Sequence, residues 1–244
     1  MSAYATLCRP DAGYLWTDGA IYDADTRLVQ VSRKAHPVAG KPLVVTGRGG
    51  TALPILFAEL LASEDLTIDA LATEGEAITG RFLDEHAGYI ASLEEAGAMI
   101  DPQRRQASDL VVIGWSERLV APLVVLRTTW PEEDGILFKI GEQFSAPAIS
   151  AKAGRRLAMR LGGASSASEV HPRAYGLALF DTMRKTPGDA ALGYEGVYAV
   201  GGHVLETVVT AEGVSQRIIQ TWPDKIGEWI DPRADSMLKT ASLR

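Results

Sequence analysis

The order in which the hydrophobic period changes along the chain restricts its fold more than any other feature. Near the N-terminus, apolar residues alternate with a period of two, which predicts a block of strands. These strands are Tyr4–Cys8, Tyr14–Thr17, Leu28–Val31 and Pro42–Thr46. A glycine-rich stretch at residues 47–50 closes the block.

After residue 50 the hydrophobic period changes to three and four, which predicts helices. The first helix carries its apolar residues at Leu53, Leu56, Phe57, Leu60 and Leu61. A second helix is predicted from about Thr67 to Ala96, and Asp101-Pro102 ends this region. Glycines at positions 75, 80 and 88 weaken the second helix and allow a break in it.

The second half of the chain repeats this order of strands, paired helices and strands. The predicted strands are 110–115, 121–127, 136–140, 196–200, 204–210 and 216–220, and the predicted helices are 151–161 and 172–185. Parallel α/β folds alternate single strands with single helices, whereas here helices come in pairs between groups of strands. The order therefore predicts an α+β fold with two stacked sheets and a helix pair on each outer side.

Composition excludes several classes of protein and several kinds of partner. Of the 244 residues, 46% are hydrophobic and 23% are charged, a globular balance that excludes disordered, collagenous and coiled-coil proteins. The net charge of −7 gives no overall attraction to nucleic acid or to an anionic membrane. The N-terminal residues show no signal peptide, and no apolar run is long enough to span a membrane. We therefore expect a single cytoplasmic domain over residues 1–244.

Metal and cofactor sites are not indicated by the sequence. The single cysteine, Cys8, can form no intrachain disulfide and no thiolate cluster. The four histidines lack a second His or Cys at the close spacing of local metal motifs. We therefore expect neither a metal ion nor an organic cofactor.

Four residues near the N-terminus stand at a spacing typical of one group of hydrolases. Asp18 follows Ser2 by sixteen residues, and Lys34 follows Asp18 by a further sixteen. Gly49 lies in a Gly-Gly-Thr-Ala stretch just before the first predicted helix. With the order of elements, this pattern resembles the N-terminal nucleophile (Ntn) hydrolases, in the branch of the proteasome β subunits and their bacterial ring-peptidase relatives.

The resemblance implies a four-layer αββα sandwich with two stacked, mainly antiparallel sheets, a peptide substrate and assembly into a ring or another homo-oligomer. It also implies that Ser2 is the nucleophile, that Asp18 and Lys34 tune the base, and that Gly49 supplies an oxyanion donor. A serine hydroxyl needs a nearby base, and removal of Met1 would give Ser2 a free α-amine with a reference pKa of about 7.7–8.0. Such an amine can accept a proton near neutral pH.

The chain also departs from the pattern of active proteasome-like subunits. Those subunits carry an Asp and a Ser before a late Gly-Gly, whereas residues 196–202 here read Gly-Val-Tyr-Ala-Val-Gly-Gly. The Gly-Ser-Gly expected after the middle strands is also missing, and Ser145 is the serine nearest to that place. An inactive structural or assembly module, and a non-peptide amidase with the same chemistry, therefore stay open as alternatives.

Three simpler interpretations of these residues also stay open. Asp18-Gly19 is a common turn, and Lys34 could be a solvated surface charge. The stretch Gly47-Arg48-Gly49-Gly50 could instead hold a phosphate at a helix N-terminus, although it lacks the remaining residues of the known nucleotide-binding motifs.

Overall fold

The computed structural model describes residues 3–23, 25–49, 51–88, 109–128, 137–164, 166–188, 196–233 and 235. These residues form two five-stranded sheets, here called sheet 1 and sheet 2, and a two-stranded sheet. The strands are β1 (Tyr4–Cys8), β2 (Gly13–Asp18), β3 (Ala20–Tyr22), β4 (Leu28–Val31), β5 (His36–Pro37), β6 (Leu43–Arg48), β7 (Asp109–Ser116), β8 (Ala121–Thr128), β9 (Leu137–Gly141), β10 (Ser145–Ala146), β11 (His203–Thr210) and β12 (Gly213–Thr221). The α-helices are α1 (Leu53–Ser63), α2 (Ile68–Glu85), α3 (Ala151–Arg160) and α4 (Pro172–Arg184).

Sheet 1 has the strand order β10-β1-β2-β11-β12, and its neighbouring strands are antiparallel. Successive side chains of a strand point to opposite faces, so both faces of β2 can be buried by alternate residues. Leu15 packs in a cluster with residues of sheet 2, whereas its neighbour Trp16 packs in a cluster with α3 and α4. Asp18 is the last residue of β2 and therefore lies at one end of this strand in sheet 1.

Sheet 2 has the strand order β5-β6-β7-β8-β9, again antiparallel between neighbours. Its central strands read as nearly continuous hydrophobic runs because they are buried on both faces. Val44 and Val111 pack in the cluster that includes Leu15 and Leu205 of sheet 1. Val45 and Val112, the next residue of each strand, pack in the cluster that contains α1 and α2.

The helices form because their apolar residues recur on one face, and each pair covers one sheet. On α1, Leu53, Phe57 and Leu61 recur every four residues and are buried against sheet 2. On α2, Phe82 packs against Phe57 with ring centroids 4.8 Å apart. Helices α3 and α4 contribute residues to the cluster around Trp16. None of the described helices combines the length and the hydrophobicity that crossing a bilayer requires.

The predicted α+β character with antiparallel sheets is confirmed, and one detail of the prediction is wrong. Gly75 and Gly80 lie inside α2, which is continuous to Glu85. Gly75 meets a packing need: a Cβ there would lie 2.6 Å from Cζ of Phe138. The strand predicted at 196–200 is absent, since these residues belong to no sheet. Helix α2 ends at Glu85, short of the predicted end, whereas residues 89–96 and Asp101-Pro102 lie outside the described residues.

Candidate active site

Asp18 is the centre of a buried polar cluster at the end of β2. Its side chain is fully buried, with 0% of its surface exposed. Oδ1 accepts hydrogen bonds from the backbone N–H of Ala3 at 2.9 Å and from Nζ of Lys34 at 2.8 Å. Oδ2 accepts from the backbone N–H of Ala20 at 3.1 Å and makes a longer contact of 3.5 Å with the N–H of Gly201. Besides its near neighbour Ala20, this carboxylate therefore contacts three other parts of the chain, at residues 3, 34 and 201.

Lys34 is a buried cation rather than a solvated surface charge. It lies between β4 and β5, and only 8% of its surface is exposed. Its backbone carbonyl accepts a hydrogen bond of 2.7 Å from the Thr46 hydroxyl, which ties this segment to β6. Burial of a lysine is costly unless the charge is paired, and the ion pair with Asp18 meets that need. Asp18 and Lys34, which are sixteen residues apart in the sequence, are therefore in direct contact in the fold.

Ser2 lies outside the described residues, but its neighbour Ala3 is buried beside Asp18. The N–H of Ala3 donates to the Asp18 side chain, and the Ala3 carbonyl accepts from the Asp18 backbone N–H at 3.2 Å. The backbone of Ala3 is therefore held through both its N–H and its carbonyl group. In the sequence, Ser2 directly precedes this residue.

Gly49 follows β6 and lies on the same pocket as Lys34. The pocket has a volume of about 250 Å³, and its lining includes Lys34, Gly47, Gly49, Ile21 and Ile55. Gly49 has a φ of +99°, a backbone conformation that favours glycine because a Cβ would be strained there. The structure thus brings Asp18 and Lys34 together and places Gly49 with Lys34 around one cavity.

His203 is a buried residue at this cluster that the sequence patterns did not single out. It opens β11 directly after Gly201-Gly202, and its imidazole packs on Gly19 so closely that a Cβ there would lie 2.5 Å from Nδ1. Its Nε2 is buried and has no hydrogen-bond partner within the described part of the chain. Its position directly after the late Gly-Gly is the sequence signal that could have identified His203 as a residue of this cluster.

The environment of His203 favours the neutral imidazole. Burial lowers the pKa of His203 below its ordinary value of 6.5, the Asp18 carboxylate opposes this shift, and the cations of Lys34 and Arg33 add to it. The half-buried imidazole of His36 also has a lowered pKa, and burial is again the cause. Both groups are therefore easier to protonate in the unfolded chain than in the folded protein.

These shifts predict how the free energy of unfolding depends on pH. A histidine whose pKa is depressed by folding contributes stability above its unfolded pKa, about 6.5, and loses it as the pH falls toward the folded pKa. We expect His203→Gln to flatten this loss between pH 7 and 5.5, by at most about 1.4 kcal/mol per pH unit. His36→Gln should flatten it independently. Urea unfolding across this range measures the slope, and an unchanged slope in His203→Gln would contradict the prediction.

The late Gly-Gly turn is held by an acid from the C-terminal part of the chain. Asp224 Oδ2 accepts the N–H of Gly202 at 2.7 Å, and the buried Arg184 binds both oxygens of Asp224. Arg184 also donates to the carbonyl of Val200 at 2.9 Å. Ser145 lies on β10 opposite Ala5 of β1, and Ala5 follows Ser2 by three residues in the sequence.

Within the described residues, no group of three or more His, Cys, Asp or Glu side chains is arranged to hold a metal ion. The cluster is instead built from one carboxylate, one ammonium group and backbone N–H groups. Such an arrangement can hold a charged or polar group of a neighbouring residue and can stabilise negative charge.

The antiparallel sheets and the four described helices are consistent with a proteasome-like fold. No protein-family model matches the chain, and no curated protein matches its sequence. Among solved structures, the chain is similar to Anbu (ancestral beta-subunit) from Yersinia bercovieri, with a TM-score of 0.54. The match covers 99% of this chain and 93% of that chain at 14% sequence identity, so the similarity concerns the fold alone.

Proposed function

We propose that the protein is an N-terminal nucleophile hydrolase that cleaves amide bonds of peptides through Ser2. One observation carries the proposal: a single buried oxygen of Asp18 binds both the Lys34 ammonium and the N–H of Ala3, the residue after Ser2. A surface turn or a solvated lysine would not need this arrangement. The proteasome-like fold supports the same conclusion.

In the proposed reaction, removal of Met1 leaves Ser2 with a free α-amine. The unprotonated amine takes the proton of the Ser2 hydroxyl as Oγ bonds to the substrate carbonyl carbon. The N–H of Gly49 stabilises the resulting oxyanion. The C–N bond then breaks, the proton passes to the leaving amine, and an acyl-enzyme ester remains. Water attacks the ester, a carboxylic acid leaves, and the Ser2 hydroxyl regains its proton.

Lys34 and Asp18 would act on the amine through charge and position. The Lys34 cation disfavours a second positive charge nearby, so it keeps the Ser2 amine in its unprotonated form. Asp18 holds Lys34 in place and also fixes Ala3. The proposed base therefore depends on a pair that the fold buries.

The pocket supports a peptide side chain as the group bound beside the reacting carbonyl. Its volume of about 250 Å³ lies below the roughly 300–1,000 Å³ typical of pockets for drug-sized ligands. Ile21 and Ile55 give it apolar walls, and Ser32 and His36 add polar ones. These dimensions favour one side chain of a longer substrate.

The proposal extends to the architecture and the assembly. We propose one domain with four αββα layers, supported by the helix clusters on the outer faces of the two sheets and the shared cluster between them. Self-association into a ring or another homo-oligomer is proposed from the fold. A cytoplasmic location is consistent with the single, unpaired Cys8. With a net charge of −7, neither nucleic acid nor membrane is a proposed partner.

A structural or assembly module is the second candidate, and one observation favours it. Ala199 and Val200 precede the late Gly-Gly, where active proteasome-like subunits have an acid and a hydroxyl. Asp224 does contact Gly202, but from a different part of the chain. A non-peptide amidase would use the same Ser2 chemistry, so it differs from the leading proposal only in substrate.

The deciding experiment is the intact mass and N-terminal sequence of the protein made in its native host, followed by labelling with a peptide epoxyketone or β-lactone. We expect Met1 to be absent and one adduct per chain, which peptide mapping assigns to Ser2. Ser63→Ala, which changes an exposed serine at the end of α1, should label as the wild type does. Quantitative retention of Met1 would support the structural module.

A further inference from the structure

A carboxylate buried between the two sheets binds a residue from each of them. Asp109, at the start of β7 in sheet 2, is 1% exposed. Its Oδ2 accepts a hydrogen bond of 3.1 Å from the hydroxyl of Tyr4 on β1 of sheet 1. The same oxygen accepts from Nε of Arg48 at 2.5 Å, on the neighbouring strand β6. These three residues are called the Tyr4–Asp109–Arg48 bridge below.

In the sequence, the bridge ends close to the two proposed catalytic groups, since Tyr4 follows Ser2 by two residues and Arg48 directly precedes Gly49. Tyr4 and Arg48 lie on strands of different sheets, so no ladder hydrogen bond joins β1 to β6. Asp109 accepts a hydrogen bond from a side chain of each of these strands.

The chemistry of the bridge makes the link a strong one. Hydrogen bonds to an ionised carboxylate are shorter and roughly twice as strong as those between neutral groups. Arg48 and Asp109 also face each other across the β6–β7 ladder, so the backbone holds them in register. The other oxygen of Asp109, Oδ1, is buried without a hydrogen-bond partner in the described residues, so Oδ2 carries the observed contacts.

We infer that Asp109 is a positioning residue, which sets the separation between the nucleophile strand and the oxyanion loop. This inference rests on the proposed function for its catalytic consequence. Asp109 acts through its contacts with Tyr4 and Arg48. Small displacements between reacting groups are costly, since about 1 Å can lower a rate on the order of 100-fold.

Tyr4→Phe tests the inference because it removes one hydroxyl and leaves the Asp109–Arg48 ion pair. We expect the maximal rate of β-lactone labelling at Ser2 to fall about tenfold or more, with little change in the half-saturating concentration. A role in packing alone would not separate these two quantities. Thr79→Val is the control, since it also deletes one buried hydroxyl, which bonds within α2 to the carbonyl of Gly75 at 2.6 Å.

Amide hydrogen exchange tests the bridge independently of activity. In Tyr4→Phe we expect faster exchange in peptides covering residues 3–9 and also in those covering 43–52, on the other sheet. Arg48→Lys, which keeps a cation but loses the Nε contact, should give the same paired effect. Thr79→Val should leave both segments unchanged.

The outcomes separate this inference from the proposed function. Faster exchange confined to residues 3–9, or an unchanged maximal labelling rate in a wild-type protein that labels, overturns the positioning role. If the wild type does not label at all, the proposed hydrolase fails. Paired exchange in both segments then still supports the link that Asp109 makes, and its absence overturns that link.

Discussion

Replacing Ser2 with alanine is expected to abolish both β-lactone labelling and amide hydrolysis. The variant keeps a small second residue, so Met1 removal and the free α-amine are retained, and only the hydroxyl is lost. Without Oγ no acyl-enzyme can form, and hydrolysis should fall on the order of 10⁴-fold or more. Labelling followed by intact mass, together with a peptide-substrate assay, measures both effects. The free energy of unfolding should stay within about 0.5 kcal/mol of the wild type.

Ser2→Thr is the control for this result. It restores a hydroxyl beside the same amine, so we expect labelling and hydrolysis to return to a measurable fraction of the wild-type rates. Retained hydrolysis in Ser2→Ala would assign the activity to another group and would remove both hydrolase proposals. Loss of both activities in Ser2→Ala and their recovery in Ser2→Thr would leave no role for a purely structural module.

The parts of the site that the sequence predicted depend on short-range order along strands. Asp18 is the last residue of β2, and Lys34 lies three residues after the end of β4. The spacing of sixteen residues between them could therefore anticipate their contact of 2.8 Å. The helices were predictable for the same reason, because their period is local. The sequence left open whether Gly75 breaks α2, because its close contact with Phe138 is tertiary and helix propensity does not include it.

The parts that the sequence did not predict depend on how the sheets meet. Tyr4 and Asp109 are 105 residues apart, and no periodicity relates them. Asp224 contacts Gly202 from beyond the last strand of sheet 1. His203 follows the Gly-Gly turn, but its contact with Gly19 arises from the pairing of β11 with β2. Such contacts are set by the stacking of layers rather than by any local pattern.

Replacing Lys34 with methionine is expected to cost both stability and activity. Removal of one partner leaves the fully buried Asp18 carboxylate without its cation, and breaking a buried pair typically costs about 3–5 kcal/mol. The N–H groups of Ala3 and Ala20 still donate to Asp18, so the cost should lie near the lower value. Labelling at Ser2 should fall on the order of 100-fold or more, because the proposed base loses the charge that tunes it. Urea unfolding and labelling rates measure the two effects.

Lys225→Met is the matched control, since Lys225 forms an ion pair with Glu228 in which both side chains are mostly exposed. Exposed pairs contribute about 0.2–1 kcal/mol, so this variant should unfold near the wild-type urea concentration and label normally. A loss in Lys34→Met no larger than in Lys225→Met would contradict a buried, paired Lys34.

Combining Asp18→Asn with Lys34→Met separates the stability of the pair from its chemistry. Each single substitution leaves one buried charge unpaired, whereas the double variant leaves none, so it should be less destabilised than the sum of the two single variants. Recovery should be partial, because the new amide NH₂ cannot accept the N–H of Ala20 as Oδ2 does. Labelling should stay at the level of the Lys34→Met variant, since a neutral pair cannot tune the Ser2 amine. Additive stability losses would mean that the two residues do not interact. Recovered labelling would mean that the pair supports only the fold, and the proposed role of Lys34 in the reaction would then be wrong.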